Sequence, residues 1–243
     1  MTSTINDNVD FVKVKRFNQY IGAFVASLGG FTLGVSLGWN SSASEVLMNN
    51  SDATITEIGL VGGILNAGIC AGVLSVPFII KYINRISIML LAMPIYVVGW
   101  TLICCGDRQV VLLIIGRLVC GVSGGVFCVL TPIYVAEIAD KEIRGRVLTF
   151  FQLLINCGIL YAFVMAHMLE GNETIWRYSI ICAITCLTIA LVNLLPESPL
   201  YYLARNNEIK AEGSLRWYRG ENYKIEDEMA ELKRLALITR SEK

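Results

Sequence analysis

Residues Gly116 to Arg146 read GRLVCGVSGGVFCVLTPIYVAEIADKEIRGR. The stretch stays apolar for about the length of a membrane-crossing helix, admits one cation, Arg117, near its start, and ends in a burst of alternating charge. A helix of a soluble bundle carries polar residues every three or four positions, and this run has no such face. Its reading therefore turns on the solvent around it. The pattern recurs on both sides. Apart from Arg117 itself, Asp, Glu, Lys and Arg are missing from Tyr20–Trp39, Ile58–Ile80, Ile86–Gly106, Gln109–Ala136, Val147–Leu169 and Tyr178–Pro196. Each segment is close to the roughly 20 residues that a helix needs to cross about 30 Å of hydrocarbon. A hydrophobic fraction of 55%, a charged fraction of 16% and a mean hydropathy of +0.59 lie on the apolar side of a soluble domain. The expected fold class is all-α and multi-pass: a segment over 1–19, six transmembrane helices over 20–196, and a helical tail over 197–243.

The formal net charge is zero, and no basic excess recommends a nucleic-acid partner. The eight cysteines fall inside the spans with no Cys-x-x-Cys pair among them, which suits small apolar side chains better than a disulfide or a metal centre. The polar residues before the first span outnumber a secretory n-region, and that span reads as an uncleaved signal anchor.

Loop charge sets the orientation. Lys13, Lys15 and Arg16 precede the first span, Lys81 and Arg85 follow the second, and Lys141, Arg144 and Arg146 separate the fourth from the fifth; the tail adds nine more Lys and Arg. The loop from Asn40 to Glu57 has none. By the positive-inside rule both termini are cytoplasmic. Sequons at Asn40, Asn49 and Asn172 fall in loops placed outside, with Asn49 and Asn172 the candidate glycosylation sites.

The two halves of the chain echo each other. Gly34-Val35-Ser36-Leu37-Gly38 matches Gly121-Val122-Ser123-Gly124-Gly125, and Asn66-Ala67-Gly68-Ile69 matches Asn156-Cys157-Gly158-Ile159. The matched helices run in opposite directions, as in a 3+3 inverted repeat, although shared membrane-helix composition gives short matches too. Glycines four apart, at Gly59 and Gly63, Gly68 and Gly72, and Gly121 and Gly125, let backbones approach on one face.

Arg117 lies about eight residues, roughly 12 Å, below the outer end of its span. Insertion there costs roughly 2.5–3.5 kcal/mol, which calls for a partner or a wet cavity unless the side chain snorkels to the interface. From Phe17 to Ser44 the first span has no acidic or basic side chain, which speaks against a proton relay. Charges gather at the inner mouths: Arg85, Glu137, Asp140 to Arg146, and Glu197 in Pro196-Glu197-Ser198-Pro199. Ion pairs there hold helix ends together in one conformation and release them in another, whereas solvated loop charges do little.

At these residues the chain resembles the sugar porter family of the major facilitator superfamily, and its trehalose-transporter-like branch most closely. The matching features are Gly116-Arg117, Pro132-Ile133-Tyr134, Glu137, Arg144-Gly145, QLLINCGIL over Gln152–Leu160, Trp176-Arg177, and PESPLYYL over Pro196–Leu203. The resemblance implies the amino-terminal half of a major facilitator fold, with Gln152, Ile155 and Ile159 facing the sugar and no cofactor. It implies that Arg85, Glu137, Arg144 and Glu197 form a gating charge network, and that Arg117 faces the translocation side. Three departures bear on function. Lys81-Tyr82-Ile83-Asn84-Arg85-Ile86 replaces the family's usual Asp-Arg-x-Gly-Arg-Arg; Leu200 stands where an Arg is usual; and Ser36 stands where proton-coupled members carry Asp. The last favours facilitative transport.

Two functions compete. One is the amino-terminal half of a facilitative transporter of hexose or trehalose in the plasma membrane, working by alternating access and needing a second six-helix half or another copy as partner. The other is a non-transporting membrane protein that senses sugar or pairs with full-length transporters. An enzyme is disfavoured, because no metal-ligand cluster, nucleophile with a base, or phosphate-binding loop is present.

Overall fold

A backbone crossing hydrocarbon has only itself to bond to, and every long apolar run in this chain is helical. The structure, a computed structural model, describes residues 15–50, 54–106, 109–168, 175–221 and 223–241. Among the described residues, six helices are long and apolar enough to cross a membrane. They are α1 (Phe17–Asn50), α2 (Ile55–Ile79), α3 (Arg85–Cys105), α4 (Val110–Ile138), α5 (Arg144–Met168) and α6 (Ile175–Ile184), which runs on as a 3-10 helix over Thr185–Leu194. The tighter winding carries ten residues about 20 Å rather than about 15 Å, which helps a short helix span the bilayer. Three shorter helices follow: α7 (Pro199–Ala204), α8 (Glu208–Arg219) and α9 (Glu226–Ser241). Among the described residues there is no strand.

The first span is longer than the apolar run. α1 continues past Trp39 through the Ser/Asn-rich segment, where the Ser44 hydroxyl donates to the Asn40 carbonyl at 2.7 Å. α2 opens with a reciprocal cap: Glu57 N–H donates to the Thr54 hydroxyl at 3.3 Å, and Thr54 N–H donates to the Glu57 carboxylate at 2.8 Å. Of the candidate glycosylation sites, the Asn49 side chain and the whole of Asn172 lie outside the described residues.

Two long seams build the bundle, α1 against α5 and α2 against α4, with α1 and α4 meeting at the centre. α3 lies against α4, the sixth span lies against α1, and α3 and the sixth span meet behind the central pair. Exchanging α1, α2 and α3 with α4, α5 and α6 leaves this pattern unchanged. The glycines show the same symmetry atom by atom. A Cβ on Gly68 would fall on the Leu118 carbonyl oxygen, and one on Gly158 would fall on the Phe31 carbonyl oxygen. Likewise Gly121 lies against the Leu65 carbonyl and Gly34 against the Ile155 carbonyl. One turn further on, Gly125 meets Ile69 and Gly38 meets Ile159. The echoes in the sequence are therefore matched contacts of a 3+3 inverted repeat. Gly59 and Gly63 take no part, since nothing lies within 4 Å of a Cβ placed on either. Their spacing put them on one face, and that face is open.

The tail is packed onto the bundle. Tyr218 of α8 is fully buried: its hydroxyl lies 2.5 Å from that of Tyr134 and donates to the Pro196 carbonyl at 3.1 Å. Burial pushes the Tyr218 hydroxyl well above its ordinary pKa, so it remains a neutral hydrogen-bonding group. Arg219, also buried, donates to the carbonyl of Ile138 at the end of α4 and pairs with Glu228 of α9 at 2.6 Å. From α1, the Gln19 amide donates to the Tyr218 carbonyl at 3.1 Å. On the surface Lys141 pairs with Glu231 at 2.7 Å and holds that carboxyl below the usual carboxylate range. The starts of α1, α3 and α5 and the ends of α2, α4 and α6 thus share one basic end of the bundle with the tail.

Because the seams pass backbone to backbone, Gly68→Val and Gly158→Val are each expected to destabilise the protein by roughly 1–3 kcal/mol or more through overpacking. Gly63→Ala, whose Cβ meets open space, should leave stability unchanged or raise it by up to about 1 kcal/mol. Thermal unfolding in detergent measures all three, and equal midpoints would contradict the matched seams.

Candidate functional site

Three sets of polar groups in this bundle bear on function. The first is the middle of α5. Gln152 and Asn156, one turn apart, are both exposed, and the Gln152 Nε2 donates to Asn156 Oδ1 at a long 3.5 Å. An amide left without partners in hydrocarbon costs roughly 1–3 kcal/mol by mutational measures. Exposed amides at the centre of a membrane helix therefore need water, solute or protein beside them. Ile159 is half-buried one turn beyond, while Ile155 is buried, its backbone pressed against Gly34 of α1. Of the three positions expected on the open face, Gln152 and Ile159 are there and Ile155 packs beneath them.

The second place is the interior of the bundle, where Arg117 is only 1% exposed. Its Nη1 donates to the Ser36 carbonyl of α1, its Nε donates to the Val61 carbonyl of α2 at 3.3 Å, and its guanidinium lies 5.3 Å from the centre of the Trp39 ring. The side chain finds the partners that its depth calls for and does not snorkel to an interface; it is enclosed by α1, α2 and α4. Its positive charge is met by carbonyl dipoles and an aromatic face, with no carboxylate among its partners in the described residues. Trp39 is itself fixed, stacked on Tyr178 at 6.4 Å and donating to the Ser179 hydroxyl at 3.1 Å. Beside Arg117, the Ser36 hydroxyl lies 2.7 Å from that of Tyr96, which donates to the Thr32 carbonyl at 2.8 Å.

The third is the basic end. Arg85 at the start of α3 pairs with Glu137 near the end of α4 at 2.6 Å, and both side chains are largely shielded. The Arg85 guanidinium also lies 5.7 Å from the Tyr201 ring of α7. Glu197, 4% exposed, accepts from the backbone N–H of Ile86 at 3.0 Å and from that of Ser198 at 3.0 Å. The carboxylate thus caps α3, whose own N-cap residue, Asn84, makes no side-chain cap bond. Arg85, Glu137 and Glu197 come together as expected. Arg144 does not join them: it is exposed at the start of α5, where its charge acts on Glu231 of α9. Arg16 instead supplies the basic partner on that side, pairing with Glu142 and lying 3.7 Å from Asp140. Tyr134, Tyr218 and Arg219 belong to the same closure. Only Tyr134 stood in a recognisable motif, since the tail's contacts are long-range and leave no local pattern.

The sugar (and other) transporter profile matches residues 21–241. The chain is 33% identical over 240 residues to the facilitated trehalose transporter Tret1 of Bombyx mori, covering 95% of this chain and 46% of that one. It is 32% identical over 215 residues to the sugar transporter ERD6-like 7 of Arabidopsis thaliana, covering 88% and 45%. To glucose transporter type 3 of Drosophila melanogaster it is 31% identical over 216 residues, covering 87% and 41%. The chain spans about half the length of the curated relatives it matches. Among solved structures, the proton:xylose symporter XylE bound to 6-bromo-6-deoxy-D-glucose superposes with a TM-score of 0.80 at 22% identity, over 93% of this chain and 55% of that one. The inward-open xylose transporter XylE from E. coli gives 0.76 at 22% identity, over 89% and 56%. The likeness establishes the fold, half of a major facilitator architecture.

Breaking a shielded ion pair from one side leaves an uncompensated charge. Arg85→Met alone should cost about 3–5 kcal/mol, and adding Glu137→Leu should recover most of it. Chemical denaturation in detergent provides the comparison; losses that simply add would contradict a coupled pair.

Proposed function

Starting from the fact that the chain belongs to the sugar (and other) transporter family, we propose that it forms one wall of a facilitative route for a hexose or trehalose. The observation that carries this reading is a contrast within one bundle. The basic end is shut by a shielded pair, a capped helix and a docked tail, while an amide ladder stands exposed at the middle of α5. That is the division alternating access needs, with a site at mid-depth and a closure at one end that forms and breaks.

In this reading Gln152 hydrogen-bonds the sugar and Ile159 covers its apolar face, with Ile155 supporting both from below. Arg85, Glu137 and Glu197 hold the basic end closed, and Arg144 stands by on α5 beside the tail. The basic end faces the cytoplasm by the distribution of Lys and Arg, and the membrane is taken to be the plasma membrane. A second six-helix unit supplies the opposite wall. Transport is passive: Ser36, at the position facing Arg117, carries no exchangeable charge and is engaged by Tyr96.

Uptake of labelled glucose and trehalose into liposomes holding this chain with a carboxy-terminal six-helix half tests the reading. Saturable uptake is expected, lowered about tenfold or more by Gln152→Ala and unchanged by an inward proton gradient. Acceleration by the gradient would overturn the passive mechanism. Stable co-purification of the two halves with no uptake would replace transport by the pairing, regulatory role.

A further inference from the structure

We propose that Asn66 and Asn156 are a matched pair of specificity-determining residues, one on each wall of the trough in front of α1 and α4, that hydrogen-bond the hydroxyls of an uncharged polyol ring. The inference rests on the transporter reading above and adds which side chains choose the solute.

Position is the first argument. α2 and α5 each have 25 residues; Asn156 is the middle residue of α5, and Asn66 is next to the middle of α2. In each helix the asparagine stands two residues before the glycine that meets the opposing backbone, Gly68 at Leu118 and Gly158 at Phe31. The internal symmetry therefore carries Asn66 onto Asn156. Both are exposed, at the depth where an unpartnered amide is least tolerated.

Direction is the second. Gly62, one turn before Asn66, lies against the Asn40 amide of α1, so this edge of α2 turns toward α1. The symmetry then turns the edge of α5 that bears Gln152 and Asn156 toward α4. α3 and the sixth span meet behind the central pair, whereas α2 and α5 have no such seam between them. The two asparagines consequently flank an open trough floored by α1 and α4.

Chemistry is the third. Each carboxamide offers two donors and an acceptor, a match for hydroxyls that both give and take a hydrogen bond. The Gln152 Nε2 lies a long 3.5 Å from Asn156 Oδ1, which sets the two amides side by side. Asn66, Gln152 and Asn156 carry no charge, so the pair suits a neutral ring with hydroxyls on opposite edges.

Valine and threonine have the same shape and differ by one hydroxyl, which separates chemistry from packing. Binding of glucose, trehalose and their monodeoxy analogues is measured by isothermal titration on the two-half complex in nanodiscs, for the unmodified protein and for Asn66→Val, Asn66→Thr, Asn156→Val and Asn156→Thr. Each Val variant should weaken binding about fivefold or more and lose discrimination against one deoxy analogue, while each Thr variant stays within about twofold. Val variants that match the unmodified protein, or that weaken every sugar alike, would overturn the proposal and leave the transporter reading intact. Absence of sugar binding by the unmodified complex would overturn both.

Discussion

Everything in this bundle depends on helix backbones touching where glycine removes the Cβ. Lipid tails are as apolar as leucine, so burying apolar side chains gives membrane helices little reason to associate. Close packing has to supply the cohesion. Along the α1–α5 and α2–α4 seams, carbonyl oxygens of one helix occupy the space a side chain would need on the other. Because the contacts come in symmetric pairs, each seam positions the other through the α1–α4 contact. The amides at the centres of α2 and α5, the pocket around Arg117 and the closure at the basic end all inherit their placement from those two seams.

Arg117 shows what this packing permits. A guanidinium in hydrocarbon is costly, yet here two backbone carbonyls and the Trp39 face surround it. The carbonyls belong to α1 and α2, so a side chain of α4 bonds the two seams together across the centre. At the basic end the logic differs. Arg85–Glu137, the Glu197 cap on α3, the Tyr134–Tyr218 contact and the Gln19 bond to the Tyr218 carbonyl link α1, α3, α4, α8 and the turn before α7 through directional bonds, which form or break as units where an apolar contact would slide.

Much of the architecture was legible in the sequence because run length and charge are direct consequences of the bilayer. The six spans, the crowding of Lys and Arg at one end, and the repeat all followed from local patterns; the Gly-Val-Ser and Asn-x-Gly-Ile echoes proved to be the contact points themselves. Spacing could not say which face was buried, and so Gly59–Gly63 looked like a packing stripe although it lies open. Nor could it foresee that Arg117 would bond carbonyls, since every residue has one and none is marked in sequence. The resemblance groups Arg144 with Arg85 and Glu137, but its side chain is exposed at the start of α5, where its charge acts on Glu231 of α9. The docking of Tyr218 and Arg219 joins residues far apart in the chain, a tertiary fact that local pattern does not hold.

A transport route exists along this bundle only if the mid-helix amides of α2 and α5 border water and solute, not lipid. The most direct measurement places a single cysteine at position 66 or 156 of an otherwise cysteine-free chain, assembled in membranes with the second half, and follows its reaction with a membrane-impermeant thiol reagent. Labelling at both positions, slowed by sugar, is the predicted result, with position 98, on the exposed side of α3 behind the central pair, unlabelled. Positions 66 and 156 that resist the impermeant reagent while reacting with a lipid-soluble one would contradict the account.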